Sequence, residues 1–209
     1  MDLTVWLAFA AASTALLMIP GPTVLLVLAY AMGQGKRVAV PTALGVATGD
    51  LIAMSASLAG LGALILTSAT LFVALKWAGA AYLIYLGIRM ILNAKGASLA
   101  TAEAEGALSP RVAFGNAATV TALNPKSIAF FIAFVPQFLD PSRPLFGQSV
   151  ILIATFVGLA ALNALVYAIA AARLRGLIRK PVVTQWLTRF GGLTLMGMGL
   201  ATATLRRSN

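Results

Sequence analysis

The sequence contains neither cysteine nor histidine. Without cysteine, disulfide bonds, thiol redox chemistry and thiolate metal sites are excluded. Without histidine, the chain lacks the commonest transition-metal ligand and the usual general base. Nor does it contain a nucleophile paired with a base, or a cluster of carboxylates spaced to hold a metal ion. The sequence therefore predicts no enzyme activity, no metal and no cofactor.

Charged residues are also scarce. They make up 10% of the chain, whereas soluble domains carry roughly a quarter. Hydrophobic residues make up 60% and the mean hydropathy is +0.95. This pattern extends along the whole chain and predicts an integral membrane protein. The net charge of +10 does not indicate nucleic-acid binding, because the fifteen lysines and arginines, apart from Lys126, stand singly or in pairs near the ends of apolar runs.

Six apolar runs are long enough to span a bilayer, which takes about 20 residues of helix. Backbone groups in hydrocarbon must be hydrogen-bonded internally, and the runs lack the alternation of barrel strands, so we predict an all-α membrane protein. The first run is too long for a signal peptide and has no basic segment before it, so we read it as a retained helix. The runs cover about 5–32, 40–66, 71–92, 112–139, 148–172 and 186–205.

The longest connection divides the six predicted helices into two sets of three. An odd number of spans per set means that the second set enters the membrane from the opposite side, as in transporters built from inverted repeats. We therefore predict one transmembrane transporter domain, 1–209, made of two inverted three-helix repeats. These are residues 1–92 and 112–209, joined by a cytoplasmic linker at 93–111.

Two motifs interrupt corresponding helices of the two sets. Pro20-Gly21-Pro22 lies within the first run and Asn124-Pro125-Lys126 within the fourth. Proline removes a backbone hydrogen bond and clashes with the preceding turn, so each motif should unwind or kink its helix. Interrupted segments at matching positions of two halves point to a transport site. We call them the Pro-Gly-Pro break and the Asn-Pro-Lys break.

Asp50 and Lys126 are ionisable residues deep within predicted spans. A charge at the bilayer centre costs about 2.5–3.5 kcal/mol on insertion scales, so each should face the protein interior with a partner. Asp50 is a candidate proton-titrating or amine-binding group, and Lys126 could bind a substrate carboxylate. The alternative is a structural ion pair between the two, and the two roles are compatible. Gly45 and Gly49 precede Asp50 at a spacing that allows close helix approach.

Several other polar or small residues are weaker candidates. Asn124 can both donate and accept hydrogen bonds, which suits a zwitterionic substrate or an exposed backbone group. Asn163 lies in the fifth run, the counterpart of the second. The weaker candidates are Thr23, Gly49, Gln137 and Asn163.

Taken together, these motifs resemble the lysine exporter (LysE/RhtB) family, most closely its homoserine/threonine-efflux branch. The resemblance covers nearly the whole chain, in order and at similar spacing. Thr23 departs from the family pattern, in which Asn or Asp often follows Pro-Gly-Pro. The matching segments are Ile19-Pro20-Gly21-Pro22, Gly45 to Asp50, Trp77 to Gly87, Leu123-Asn124-Pro125-Lys126, Phe130-Phe131 and Val135-Pro136-Gln137-Phe138.

The resemblance implies a bacterial inner-membrane exporter of amino acids or close derivatives, such as homoserine, threonine or lysine, driven by proton antiport. Its partners would be the lipid bilayer, the substrate and protons, and the oligomeric state is open, a homodimer included. Alternatives are an exporter of an inorganic cation or another small metabolite, and a non-transport membrane subunit. Hard cations bind several oxygen ligands, often carboxylates, and a single acidic residue lies deep in a span.

The distribution of basic residues predicts the orientation. Lysine and arginine are enriched in cytoplasmic loops of membrane proteins. The first, third and fifth connections are therefore cytoplasmic and both termini periplasmic, with Lys126 on neither side. The first group is Lys36, Arg37, Arg89, Lys95, Arg111, Arg173, Arg175, Arg179, Lys180 and Arg189; the opposite side has Lys76, Arg143, Arg206 and Arg207.

Topology reporters test this orientation. A phosphatase or fluorescent reporter fused at Gln34 or near Ala102 should report a cytoplasmic location, because both positions fall in the basic connections. A periplasmic signal from either fusion would contradict the topology.

Overall fold

The computed structural model describes residues 1–67, 69–96, 108–178 and 180–204, and their regular structure is entirely helical. The predicted all-α class is confirmed. The helices are α1 (Leu3–Met18), α2 (Pro22–Gln34), α3 (Ala39–Thr67), α4 (Ala69–Leu92), α5 (Pro110–Ala122), α6 (Pro125–Ala133), α7 (Leu145–Ile178) and α8 (Pro181–Thr204). Short 3₁₀ turns cover Gly35–Val38, Asn93–Gly96 and Val135–Phe138.

Some predicted features lie outside the described residues. They are the middle of the predicted linker with the reporter position Ala102, and the basic residues Arg179, Arg206 and Arg207. The side chains of Lys36, Lys95, Arg173 and Arg175 are likewise outside the description.

The Pro-Gly-Pro break separates α1 from α2, whose axes differ by 58°. Helix α1 ends at Met18, and Ile19 adopts an extended conformation with φ −69° and ψ 120°. A residue before proline is driven out of the helical region, which explains why the helix stops there. Pro22 then occupies the first position of α2, where a missing N–H costs nothing. The interruption that was predicted for the helix in the first apolar run is thus present.

The Asn-Pro-Lys break separates α5 from α6 by a 46° bend. Asn124 is the N-cap of α6, and its side-chain oxygen accepts a hydrogen bond of 3.1 Å from the backbone N–H of Lys126. Pro125 follows at the first helical position. An asparagine cap followed by proline is a strong helix start, so the motif encodes a new helix as well as a break.

Three helices are long and apolar enough to cross a bilayer on their own: α3, α4 and α7. The bent pairs α1–α2 and α5–α6 also qualify if each pair is one span, which makes up to five spans among the described residues. Helix α8 is not among them, because threonine, glycine and arginine lower its hydropathy. The six-span count and the two inverted repeats therefore stay predictions.

Glycines allow close contact between α3 and α5. A methyl group at Gly49 would lie 2.5 Å from the Ala118 carbonyl oxygen and 2.7 Å from the Thr121 Cβ, and one at Gly45 would overlap the Phe114 carbonyl oxygen. The close approach predicted for these glycines is thus present, and α5 is the partner helix. This contact holds Asp50, the residue after Gly49, beside the Asn-Pro-Lys break.

Glycines also allow close contact between α4 and α8. A methyl group at Gly87 would lie 2.5 Å from the Gly192 carbonyl oxygen, and one at Gly199 would lie 2.7 Å from the Ala80 carbonyl oxygen. Close backbone approach increases dispersion contact where lipid offers no hydrophobic driving force. Helix α8 is therefore held by packing against α4 despite its modest hydropathy.

A cluster of phenylalanines anchors α6 in the core. Phe130 and Phe131 are fully buried and pack against Phe156 of α7, with ring centroids 5.9 and 4.8 Å apart. Further along, Phe138 meets Phe9 of α1 edge-to-face at 5.4 Å. Because these rings begin one helical turn after Lys126, they fix the position from which its side chain extends.

Substituting Gly49 tests the α3–α5 contact. We expect Gly49→Ala to destabilise the protein by about 1–3 kcal/mol, the usual cost of overpacking, because the methyl group meets backbone and Cβ atoms of α5. Thermal unfolding in detergent measures the effect. The matched control is Gly60→Ala on the same helix, where nothing lies within 4 Å of the added methyl group. Equal melting temperatures for the two variants would contradict the packing described here.

Candidate functional site

The two breaks, α3 and α7 enclose a small cavity in the interior. About 20 Å³ is free, which is room for about one water molecule. The site is thus nearly closed, and a substrate would enter only as the surrounding helices move apart. Its polar lining comes from Thr23, Asp50, Asn124, Lys126, Ser127, Asn163 and Tyr167, and its apolar lining from Leu16, Leu17, Val24, Val27, Val46, Ala160 and Ala164.

Lys126 reaches from α6 to the end of α1. Its ammonium group donates hydrogen bonds of 3.2 Å to the Leu16 carbonyl oxygen and 2.9 Å to the Ile19 carbonyl oxygen. The last carbonyls of a helix have no partner within it, and they carry the negative end of its dipole. A buried cation at this position therefore satisfies both the hydrogen bonding and the charge of the helix end.

Helix α7 supplies donors to the carbonyls in between. The Asn163 amide nitrogen donates to the Leu17 carbonyl oxygen at 3.2 Å, and the Tyr167 hydroxyl donates to the Met18 carbonyl oxygen at 3.3 Å. Each carbonyl from Leu16 to Ile19 thus accepts a hydrogen bond from a side chain of α6 or α7. We call these four groups the α1 carbonyl end.

Asp50 lines the same cavity and is 2% exposed. Its Oδ1 atom is buried and has no hydrogen-bond partner. The suggested direct ion pair with Lys126 is not formed: the ion pairs within 4.0 Å in the described part of the chain join Arg143 to Asp2 and to Asp140. Lys126 instead donates to backbone carbonyls of the broken helix, and the Asp50 Oδ1 atom is left without a donor.

Thr23 links the two breaks. Its hydroxyl accepts a hydrogen bond of 3.1 Å from the Asn124 amide nitrogen and lies 3.3 Å from the Thr121 hydroxyl. Because the Asn124 oxygen is committed to capping α6, its amide nitrogen needs this acceptor. The position where the sequence departs from the lysine exporter pattern is therefore a contact between the two broken helices.

The other predicted site residues have different surroundings. Gly21 lies against the ammonium group, since a Cβ there would be 3.4 Å from the Lys126 Nζ. Pro20, Pro22 and Pro125 shape the breaks without lining the cavity, and Gly49 contacts α5. Gln137 is remote from the cavity lining and donates to the Thr202 hydroxyl at 2.8 Å.

Sequence reasoning missed three contributors. Tyr167 lies one helical turn after Asn163 and so shares its face, a spacing that could have indicated it. Ser127 follows Lys126 and also lines the cavity. The α1 carbonyl end carries no side-chain signal, since backbone acceptors are invisible in a list of residue types.

The chain is similar to known proteins of a translocator family. The family model described as LysE type translocator matches residues 14–206. A homoserine/homoserine lactone efflux protein of Salmonella typhimurium is 35% identical over 97% of this chain and 98% of its own length. An uncharacterized membrane protein of Vibrio cholerae is 32% identical over 99% of this chain and its own whole length. A leucine efflux protein of Salmonella choleraesuis is 36% identical over 67% of this chain and 66% of its own length. No solved structure matches the chain significantly.

Removing the Thr23 hydroxyl tests the link between the breaks. We expect Thr23→Val to cost about 1–3 kcal/mol, because the buried Asn124 amide loses its acceptor. Thermal unfolding in detergent is the measurement. The matched control is Thr14→Val, whose exposed hydroxyl only bonds the Ala10 carbonyl of its own helix. A melting temperature as high as that of the control would show that the link contributes nothing to stability.

Proposed function

Because this chain belongs to the LysE type translocator family, it is a membrane transporter, and we propose that it exports amino acids or close derivatives, such as homoserine, threonine or lysine, by proton antiport. Two relatives are named as efflux proteins, one for homoserine and its lactone and one for leucine. These names support a small zwitterion or a related compound as the substrate class. The non-transport alternative loses its support, since a translocator family matches nearly the full length.

One observation carries the proposal: a buried carboxylate and a buried ammonium group line one cavity between two broken helices. Burying opposite charges within spans is costly, and such residues mark substrate and proton pathways. A zwitterion carries an ammonium group that can bind the carboxylate of Asp50 and a carboxylate that can bind the ammonium group of Lys126. An inorganic cation fits less well, because Asp50 is the one carboxylate among the described residues that line the cavity and hard cations prefer several oxygen ligands.

Each site residue has a proposed role. Lys126 and Asn124 recognise the substrate carboxylate, with Lys126 supplying charge and Asn124 an amide. Asp50 binds either the substrate ammonium group or a proton, and this competition couples export to proton entry. The two breaks supply the hinge on which the helices move, since interrupted helices absorb changes of backbone angle.

The packing supports two inverted repeats. Helix α3 packs against α5, and α7 packs against α1 and α2. In a six-span inverted repeat these are equivalent contacts, because the second span meets the fourth as the fifth meets the first. Helix α3 also packs on α7, and α4 on α8, which are the pairs that an internal two-fold axis would relate. We propose the inner membrane as the location, with both termini periplasmic.

Proteoliposome efflux tests the function. Vesicles preloaded with labelled amino acids should release one or a few of them, faster under an imposed pH gradient. Asp50→Asn should reduce this release to background, because the amide cannot exchange a proton. The matched control is Asp2→Asn, an exposed carboxylate at the start of α1 that should leave efflux unchanged.

Folding must be monitored in the same preparations. If folded wild-type protein in the correct orientation moves no amino acid, the proposed substrate class is wrong. If Asp50→Asn protein is folded and still responds to the pH gradient, Asp50 is not the coupling residue.

A further inference from the structure

The α1 carbonyl end has an unusual partner. Helix ends inside proteins are normally closed by glycine turns or by backbone groups of the same chain segment. Here the Ile19 backbone N–H donates to the Leu16 carbonyl oxygen at 3.1 Å, and an ammonium group from a residue 107 positions away from Ile19 adds bonds to two of the four carbonyls. The Lys126 side chain thus acts at this site as a tethered alkylammonium ligand.

We propose that the α1 carbonyl end is a binding site for a primary ammonium group, which Lys126 occupies in the resting protein and which the substrate ammonium group takes over during export. Occupation of the site by Lys126 depends only on the contacts of its ammonium group. Replacement by the substrate ammonium group rests on the proposed function.

The contacts favour an ammonium group over a bare metal ion. The two N···O distances of 2.9 and 3.2 Å are those of N–H···O hydrogen bonds. The partners of Lys126 Nζ within the described residues are these two carbonyls, so a third N–H remains for a further acceptor. A substrate carboxylate in the cavity could be that acceptor and would draw the ammonium group toward itself.

Three features allow the exchange. Lysine holds its charge on a flexible four-carbon chain, so the ammonium group can move while the backbone of α6 stays in place. Gly21 presents no side chain to the ammonium group. The Asp50 Oδ1 atom lines the same cavity without a partner and can accept from an incoming ammonium group.

The charge balance favours this exchange with a zwitterion. When Lys126 turns to the substrate carboxylate, the Ile19 carbonyl oxygen loses its side-chain donor, and the Leu16 carbonyl oxygen keeps only the Ile19 backbone N–H. The substrate brings an ammonium group that restores the missing donor, so each buried charge keeps an opposite charge or dipole. A substrate with only a carboxylate would leave the helix end unsatisfied, and this predicts selection for molecules that carry both groups.

Chemical rescue tests the site. In purified Lys126→Ala protein, methylammonium or ethylammonium chloride should raise the melting temperature in a saturable way. The rise should reach several degrees at amine concentrations well above the dissociation constant. The amine replaces the missing ammonium group in the space left by the side chain. Wild-type protein should not respond, because Lys126 already fills the site.

Two controls isolate the chemistry. Tetramethylammonium chloride has the same charge and no N–H donor, so it should not stabilise the Lys126→Ala protein. Lys126→Met fills the space with an apolar chain and should respond to neither salt. Equal responses of wild type and Lys126→Ala to the amines, or equal stabilisation by tetramethylammonium, would overturn the proposal.

The test also covers a variant that fails to fold. If Lys126→Ala protein is recovered only unfolded, the amines are added during solubilisation. Recovery of folded protein with ethylammonium but not with tetramethylammonium supports the site, and recovery with neither, while Lys126→Met folds, overturns it. Amino-acid efflux by the wild type is measured separately, so a failure of the export proposal leaves the rescue result interpretable.

Discussion

A helix that ends in the interior of a protein leaves its last carbonyl groups without donors from the helix itself. Helix α1 ends in this way at the Pro-Gly-Pro break, and side chains of neighbouring helices supply the donors. The four carbonyls from Leu16 to Ile19 receive donors from Lys126, Asn163 and Tyr167. These donors come from two other helices, α6 and α7. The three helices are therefore linked by hydrogen bonds at the point where α1 ends.

The same constraint explains why a lysine is tolerated in the interior. A buried ammonium group without acceptors would be prohibitively costly. At the α1 carbonyl end it meets two acceptors and the negative end of a helix dipole. The ammonium group supplies donors to the exposed carbonyls, and the carbonyls stabilise the buried charge. Asp50 is held nearby by the glycine contact between α3 and α5, and its Oδ1 atom is left free of hydrogen bonds. The two charged side chains thus line one cavity without forming a direct ion pair.

This arrangement suits a transporter better than a static channel or scaffold. The free space in the cavity is about 20 Å³, so passage of an amino acid requires rearrangement of the helices that line it. Polar contacts between the two breaks include the hydrogen bond from the Asn124 amide to the Thr23 hydroxyl.

The sequence by itself determined the membrane class, the positions of the breaks and the identity of the buried charges. Those features depend on local chemistry: apolar length, the backbone limits of proline, and the cost of a charge in hydrocarbon. The tertiary structure decided the partners. Lys126 binds backbone carbonyls and not Asp50, Tyr167 joins the site, and Gln137 lies elsewhere with Thr202, because these contacts depend on how helices distant in sequence converge. Backbone acceptors exposed by a break have no residue signature, so only the folded chain shows which side chain reaches them.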